Sequence, residues 1–157
     1  MRNTLKFFVS ILICLLAGGL GTIFTISSIP TWYAHLNKPF FSPPNYLFAP
    51  VWTTLYILMG ISLYLIWKKG IKTKKIREAI YIFGIQLVLN AIWSPIFFGA
   101  KNIFLALAVI ILMWIYILKT IVSFSKINKL VSYLLYPYIA WVSFATILNF
   151  SVWILNK

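Results

Sequence analysis

Ala79 to Gly99 reads AIYIFGIQLVLNAIWSPIFFG, an apolar run broken by Gln86, Asn90 and Trp93. It is long enough to cross a hydrocarbon core of about 30 Å, which takes roughly 20 helical residues. A bilayer interior penalises polar atoms such as these amides. Gln86, Asn90 and Phe97 follow one another at spacings of four and seven, with Trp93 one turn from Asn90, so on a helix they share one broad face. That face is expected to look into protein, and side chains that join flat surfaces to hydrogen-bonding groups at depth suit an internal pocket for a flat apolar ligand.

Working outward, four more segments are long enough to span: Leu5 to Ser27, Tyr46 to Trp67, Ile103 to Phe124 and Leu130 to Leu155. Of 157 residues, 62% are hydrophobic and 10% charged, and the mean hydropathy is +0.96. These values predict an all-α integral membrane protein, a single five-helix domain over residues 1–157 with no soluble catalytic or DNA-binding part.

The net charge of +13 is concentrated at helix ends, with Lys68, Lys69, Lys72, Lys74, Lys75 and Arg77 in the connection between the second and third spans. With five crossings, those six share a face with Arg2, Lys6, Lys119, Lys126 and Lys129, against Lys38, Lys101 and Lys157 on the other. The bias predicts an amino terminus inside and a carboxyl terminus outside. The cluster is read as topology plus attraction to anionic lipid head groups, not as nucleic-acid binding. Cys14 stands alone in the first span as packing, and the opening Arg2, Lys6 and apolar run reads as a retained first helix.

Candidate pocket faces come from spacing. Trp52, Tyr56, Met59 and Gly60 form a stripe on the second span, and Tyr138, Trp141, Ala145 and Leu148 one on the fifth. Ala17, Gly18 and Gly21 put small residues at one-turn spacing in the first span, a packing seam that also leaves room for a ligand. Trp67, Trp114 and Trp153 lack such a pattern and are read as interfacial or lipid-facing. The connection over residues 28–45 carries Pro30, Pro39, Pro43 and Pro44 and is expected to be a stiff lid, its Trp32, Tyr33, Phe40 and Phe41 lying either in the interface or over a cavity mouth. Pro50 falls in a first helical turn, whereas Pro95 and Pro137 are expected to interrupt the third and fifth spans.

Conventional acid–base chemistry lacks its parts. Glu78 is the sole acidic residue and His35 the sole histidine, so neither paired carboxylates nor a metal cluster is written into the chain, and no ionisable group sits mid-span for proton-driven pumping. The functions left are binding, sensing, or chemistry supplied mainly by the ligand.

Four blocks carry a resemblance: WYAHLNKPFFSPP (Trp32 to Pro44), APVWTTLYILMG (Ala49 to Gly60), QLVLNAIWSPIFFGAKN (Gln86 to Asn102) and LLYPYIAWVSFATILNFSVW (Leu134 to Trp153). Together they resemble the tryptophan-rich sensory protein family, which includes the translocator or peripheral benzodiazepine receptor proteins. The resemblance implies a five-helix bundle, often a homodimer, that binds porphyrins such as protoporphyrin IX, and in some members sterols and isoquinoline or benzodiazepine compounds. It needs no cofactor or metal, the porphyrin being the ligand. By motif position, pocket roles pass to Ala49, Val51, Trp52, Tyr56, Asn90, Trp93 and Phe97, to Ala108 and Leu112 on the fourth helix, and to Trp141, Ala145 and Leu148, with Trp32, Pro43 and Pro44 in the lid. Two departures stand out. Phe41 takes the place of a lid tryptophan, and Phe150, Ser151 and a distant Lys157 replace a cholesterol-associated tyrosine and basic residue.

The leading expectation is a porphyrin-binding membrane receptor or sensor. Beside it stand light- or oxidant-dependent breakdown of the porphyrin, with Trp52 and Trp141 as the candidate catalytic side chains, and porphyrin or sterol transport. Abundant Ile, Lys, Asn, Tyr and Phe, with no transit peptide, favour a prokaryotic cytoplasmic membrane over a mitochondrial one.

Overall fold

The computed structural model describes residues 2–157, and among them it has five helices long and apolar enough to span a membrane and no strand. They are α1 (Asn3–Ser28), α2 (Asn45–Trp67), α3 (Lys74–Gly99), α4 (Ile103–Ser125) and α5 (Lys129–Asn156). Neighbours in the ring run α1, α2, α5, α4, α3 and back to α1; the α2 backbone comes close to α5 at the first turns of α5, and ring contacts join the two helices beyond.

Helix ends follow from local chemistry. The side chains of Thr73, Asn102 and Asn128 each accept from a backbone N–H in the first turn that follows. The Thr73 cap starts α3 five residues before the expected Ala79, so Lys74, Lys75, Arg77 and Glu78 form its first turns, with Lys74 and Glu78 paired at 3.6 Å. Gly70, at φ 91°, reverses the chain after α2.

Two expected proline interruptions take other forms. At Pro95 the helix widens into a π turn, Pro95–Gly99, in which the Ala100 N–H reaches the Pro95 carbonyl at 2.8 Å, so the ladder is rearranged rather than opened. Pro137 does not break α5. It stands in the first turn of the long segment Tyr136–Asn156, after a short helix and a 3-10 turn, where a missing N–H costs little.

Packing divides the bundle into two halves. Toward the basic connections the centre is solid, filled by Met59, Ile66, Phe83, Ile117, Phe124 and Val142, with Phe83 and Phe124 stacked at 5.9 Å. Close approach is made possible there by Gly60, where a Cβ would stand 2.6 Å from Ile11 Cα. Toward the long connection a second cluster of Tyr33, Phe97, Phe98, Ala106, Leu148 and Val152 lies under the loop. Between them the bundle is hollow.

Candidate functional site

The hollow has a volume of about 450 Å³, within the usual range of roughly 300–1,000 Å³ for small-molecule sites. None of the residues that line it is charged. Its walls are aromatic, with polar atoms at a few places.

The floor is a hydrogen-bonded chain across three helices. Tyr56 on α2 donates to Asn90 Oδ1 on α3 at 2.5 Å, Asn90 Nδ2 donates to the Tyr138 hydroxyl on α5 at 2.8 Å, and Tyr138 donates to Gln86 Oε1 at 2.7 Å. Every hydroxyl in this chain has a partner, which lets polar side chains sit at bilayer depth. Gln86 belongs to the support below the cavity, not to its lining.

Above the floor, Trp52 stacks on Tyr56 with ring centres 5.7 Å apart, and Trp93 stacks on Phe97 at 5.0 Å. The two indoles nearest α5 differ in a way that bears on ligands. Trp93 Nε1 donates to Asn149 Oδ1 at 3.1 Å. Trp141 Nε1 is buried with no partner among the described residues, on a side chain that lines the cavity. On the α1 side the Gly18 Cα lies against the Tyr56 ring, and the hydroxyls of Thr25 and Ser94, 2.6 Å apart, both reach the Gly21 carbonyl.

Of the side chains expected from sequence, Ala49, Trp52, Tyr56, Asn90, Trp93, Phe97, Trp141, Ala145 and Leu148 line the cavity together. Three do not. Ala108 and Leu112 lie on the outer face of α4, because its inward face is Ala106, Ile110, Met113 and Ile117; Ile110 and Met113 are the α4 residues at the cavity. Val51 packs sideways into the core beside the lining.

In the loop, Trp32 lies edge-on to Phe97 at 5.7 Å and Phe41 edge-on to Phe144 at 6.1 Å, so both turn inward without lining the cavity, while Phe40 is fully exposed. Pro43 and Pro44 lead into the 3-10 turn Asn45–Leu47, also outside the lining. Ile29 and Tyr33 of the loop do line it, with Asn45 where α2 begins. Burial pushes the Tyr33 phenol above the ordinary value, the Ser42 hydroxyl bond pulling part of the way back, so it is present as a neutral donor.

Trp114, expected on the lipid side, is half-buried and donates to Ser143 Oγ at 2.8 Å. Sequence reading missed Asn149, whose amide ties Trp93 to the Ile103 carbonyl. It also missed Ser94, Phe98 and Met113. Asn149 carried the signal that singled out Asn90, an amide inside an apolar span. His35 is exposed on its loop turn, and no group of three His, Cys, Asp or Glu that could hold a metal occurs among the described residues.

The profile of the TspO/MBR family matches residues 10–154. A tryptophan-rich protein TspO of Archaeoglobus fulgidus is 46% identical, covering 98% of this chain and 99% of its own. The protein CrtK of Rhodobacter capsulatus is 37% identical over 91% of this chain and 88% of its own. The Homo sapiens translocator protein is 43% identical over 78% of this chain and 73% of its own.

Proposed function

The chain belongs to the TspO/MBR family, and from that premise we propose that this integral membrane protein is a receptor whose hollow holds a flat tetrapyrrole of the protoporphyrin class. The observation that carries the reading is the convergence of Trp52, Trp93 and Trp141 from three helices on one uncharged cavity beside the Tyr56, Asn90 and Tyr138 hydrogen bonds. Indole faces suit a planar macrocycle, each aromatic contact adding on the order of 1 kcal/mol beyond burial. Because the lining carries no charge, the macrocycle fills the interior and a porphyrin's carboxylates lie at the edge of the site or against a neutral donor such as the Trp141 indole.

Titration of the purified protein in lipid nanodiscs with protoporphyrin IX tests this through tryptophan fluorescence. Saturable quenching is expected, lost in Ala145→Phe, which fills the cavity from α5. Quenching that stays linear in porphyrin, or saturates equally in the filled variant, removes the reading. On the same footing we assign the protein to a prokaryotic cytoplasmic membrane, amino terminus inside, from the eleven cations at one end against three at the other.

A second reading, oxidative consumption of the bound porphyrin, draws on the Trp52 ring stacked on Tyr56, whose hydroxyl continues into the Asn90 and Tyr138 chain. The excited porphyrin would take one electron from Trp52 or Trp141, leaving an indolyl radical cation and a porphyrin radical anion, and dissolved dioxygen would be the oxidant that accepts the electrons and consumes the macrocycle. Equal loss of porphyrin under illumination with and without the two indoles counts against it.

A further inference from the structure

Resting on the reading that the cavity takes a hydrophobic ligand, we propose that it is loaded sideways from the bilayer, through a seam between the carboxyl-terminal half of α1 and the amino-terminal half of α2, and that the long loop above is a fixed roof.

The seam is visible in residues that belong to two surfaces at once. Leu15, Gly19, Thr22 and Ile26 on α1, with Ala49 and Thr53 on α2, both line the cavity and are exposed on the outside of the bundle. A residue that does both marks a place where the wall is a single side chain thick. At Gly19, which lines the cavity, an added Cβ would meet no atom within 4 Å, so the wall has no side chain there.

Its chemistry suits lipid. Thr22 and Thr53 turn their hydroxyls back onto the Gly18 and Ala49 carbonyls of their own helices, at 3.0 and 2.7 Å, leaving no unpaired donor at the opening.

The two sides of the seam are held unequally. α1 is tied to α3 by Thr25 with Ser94 and by Ser28, which donates to the Phe98 carbonyl at 2.9 Å. Between α1 and α2, the one hydrogen bond among the described residues is Lys6 Nζ to the Trp67 carbonyl, at the opposite end of the bundle. The helices lock at Gly60 against Ile11. Beyond that point α2 leans on α5 through ring edges, Phe48 on Trp141 at 6.3 Å and Trp52 on Tyr138 at 6.4 Å. Its amino-terminal half is therefore the wall free to move, with Tyr56 and Gly60 at the pivot.

The roof is fastened by contrast. Asn37 and Asn156 exchange two hydrogen bonds, Asn37 N–H to Asn156 Oδ1 at 3.0 Å and Asn156 Nδ2 to the Asn37 carbonyl at 2.8 Å. Lys38 Nζ donates to the Tyr33 and Leu36 carbonyls while lying 4.8 Å over the Tyr33 ring. The Lys38 bonds stiffen the loop against itself, and lifting it breaks the Asn37–Asn156 pair together with the Trp32 and Phe41 ring contacts. Parting the seam breaks no hydrogen bond between its two helices.

The test uses the full chain in lipid vesicles, protoporphyrin IX as probe and stopped-flow tryptophan quenching. Gly19→Leu places a side chain in the seam, and Thr53→Leu narrows it from the α2 side should the first variant fail to assemble. Either is expected to slow association and dissociation together by about tenfold, and the parent's association rate is expected to rise with the mole fraction of porphyrin in the membrane. Asn156→Ala, which unfastens the roof, is expected to leave both rates within about twofold. Undiminished rates in both seam variants, with faster exchange in Asn156→Ala, overturn the lateral route while leaving binding in place. Absence of saturable quenching in the parent overturns the binding reading and this one with it.

Discussion

Tyr138 and Gln86 meet at 2.7 Å between α5 and α3, and the same Tyr138 oxygen accepts from Asn90, so one hydroxyl joins two amides that would otherwise be stranded in the apolar centre. The chain ends unevenly. Gln86 Nε2 is buried without a partner among the described residues, whereas the Tyr56 end is closed by Asn90 Oδ1.

Removing the middle should therefore cost more than removing an end. Tyr138→Phe leaves Asn90 Nδ2 and Gln86 Oε1 both unpaired, and an expected loss of about 1–2 kcal/mol follows for buried polar groups in a membrane core. Tyr56→Phe strands Asn90 Oδ1 alone and should cost about half as much. Reversible unfolding in mixed detergent micelles ranks the two, and equal losses would show that the chain does not act as a connected unit.

Gly60 and Gly19 make a second contrast, between a glycine the packing requires and one it does not. Ala at position 60 forces α1 and α2 apart, because the atom it meets is Ile11 backbone, and a penalty of about 1–3 kcal/mol is expected. Gly19→Ala meets nothing and should be neutral or stabilising by up to about 1 kcal/mol through helix propensity. Thermal unfolding of both variants checks the sign of each change.

Much of this was legible from side-chain chemistry. Amides cannot face lipid cheaply, so Gln86 and Asn90 oriented α3, and the aromatic spacings of Trp52 with Tyr56 and of Trp141 with Ala145 pointed to the same interior. α4 could not be oriented that way. It carries no amide within the span, so nothing marked its inward side, and Ala108 and Leu112 read as inward as readily as Ile110 and Met113. The loop has no helical period, so sequence could not separate the inward Trp32 and Phe41 from the exposed Phe40. Thr25 and Ser94 were invisible for another reason. A hydroxyl in a membrane helix satisfies itself on its own i−4 carbonyl as readily as across an interface, as Thr22 does, so its presence in sequence does not mark a contact.

The two cavity indoles that differ in hydrogen bonding should respond differently to Phe. Trp93→Phe strands Asn149 Oδ1 inside the bundle, so the empty protein should lose about 1 kcal/mol. Trp141→Phe removes a donor that has no protein partner, so the empty protein should keep its stability. Melting temperatures without ligand distinguish the pair, and a larger drop for position 141 than for position 93 would contradict the assignment.

With ligand present the order should reverse for any molecule that offers an acceptor to the Trp141 indole. A ligand carbonyl or carboxylate oxygen toward which the Trp141 ring turns its buried Nε1 gains a hydrogen bond that the empty protein does not make, about 1 kcal/mol or roughly fivefold in affinity. Trp141→Phe keeps the ring and loses only that bond, so its affinity for protoporphyrin IX should fall by that factor. Its affinity for a porphyrin bearing no oxygen acceptors should hold. Paired titrations of parent and Trp141→Phe with the two porphyrins isolate the term as a difference of differences. An equal loss for both ligands would mean that the indole contributes surface alone.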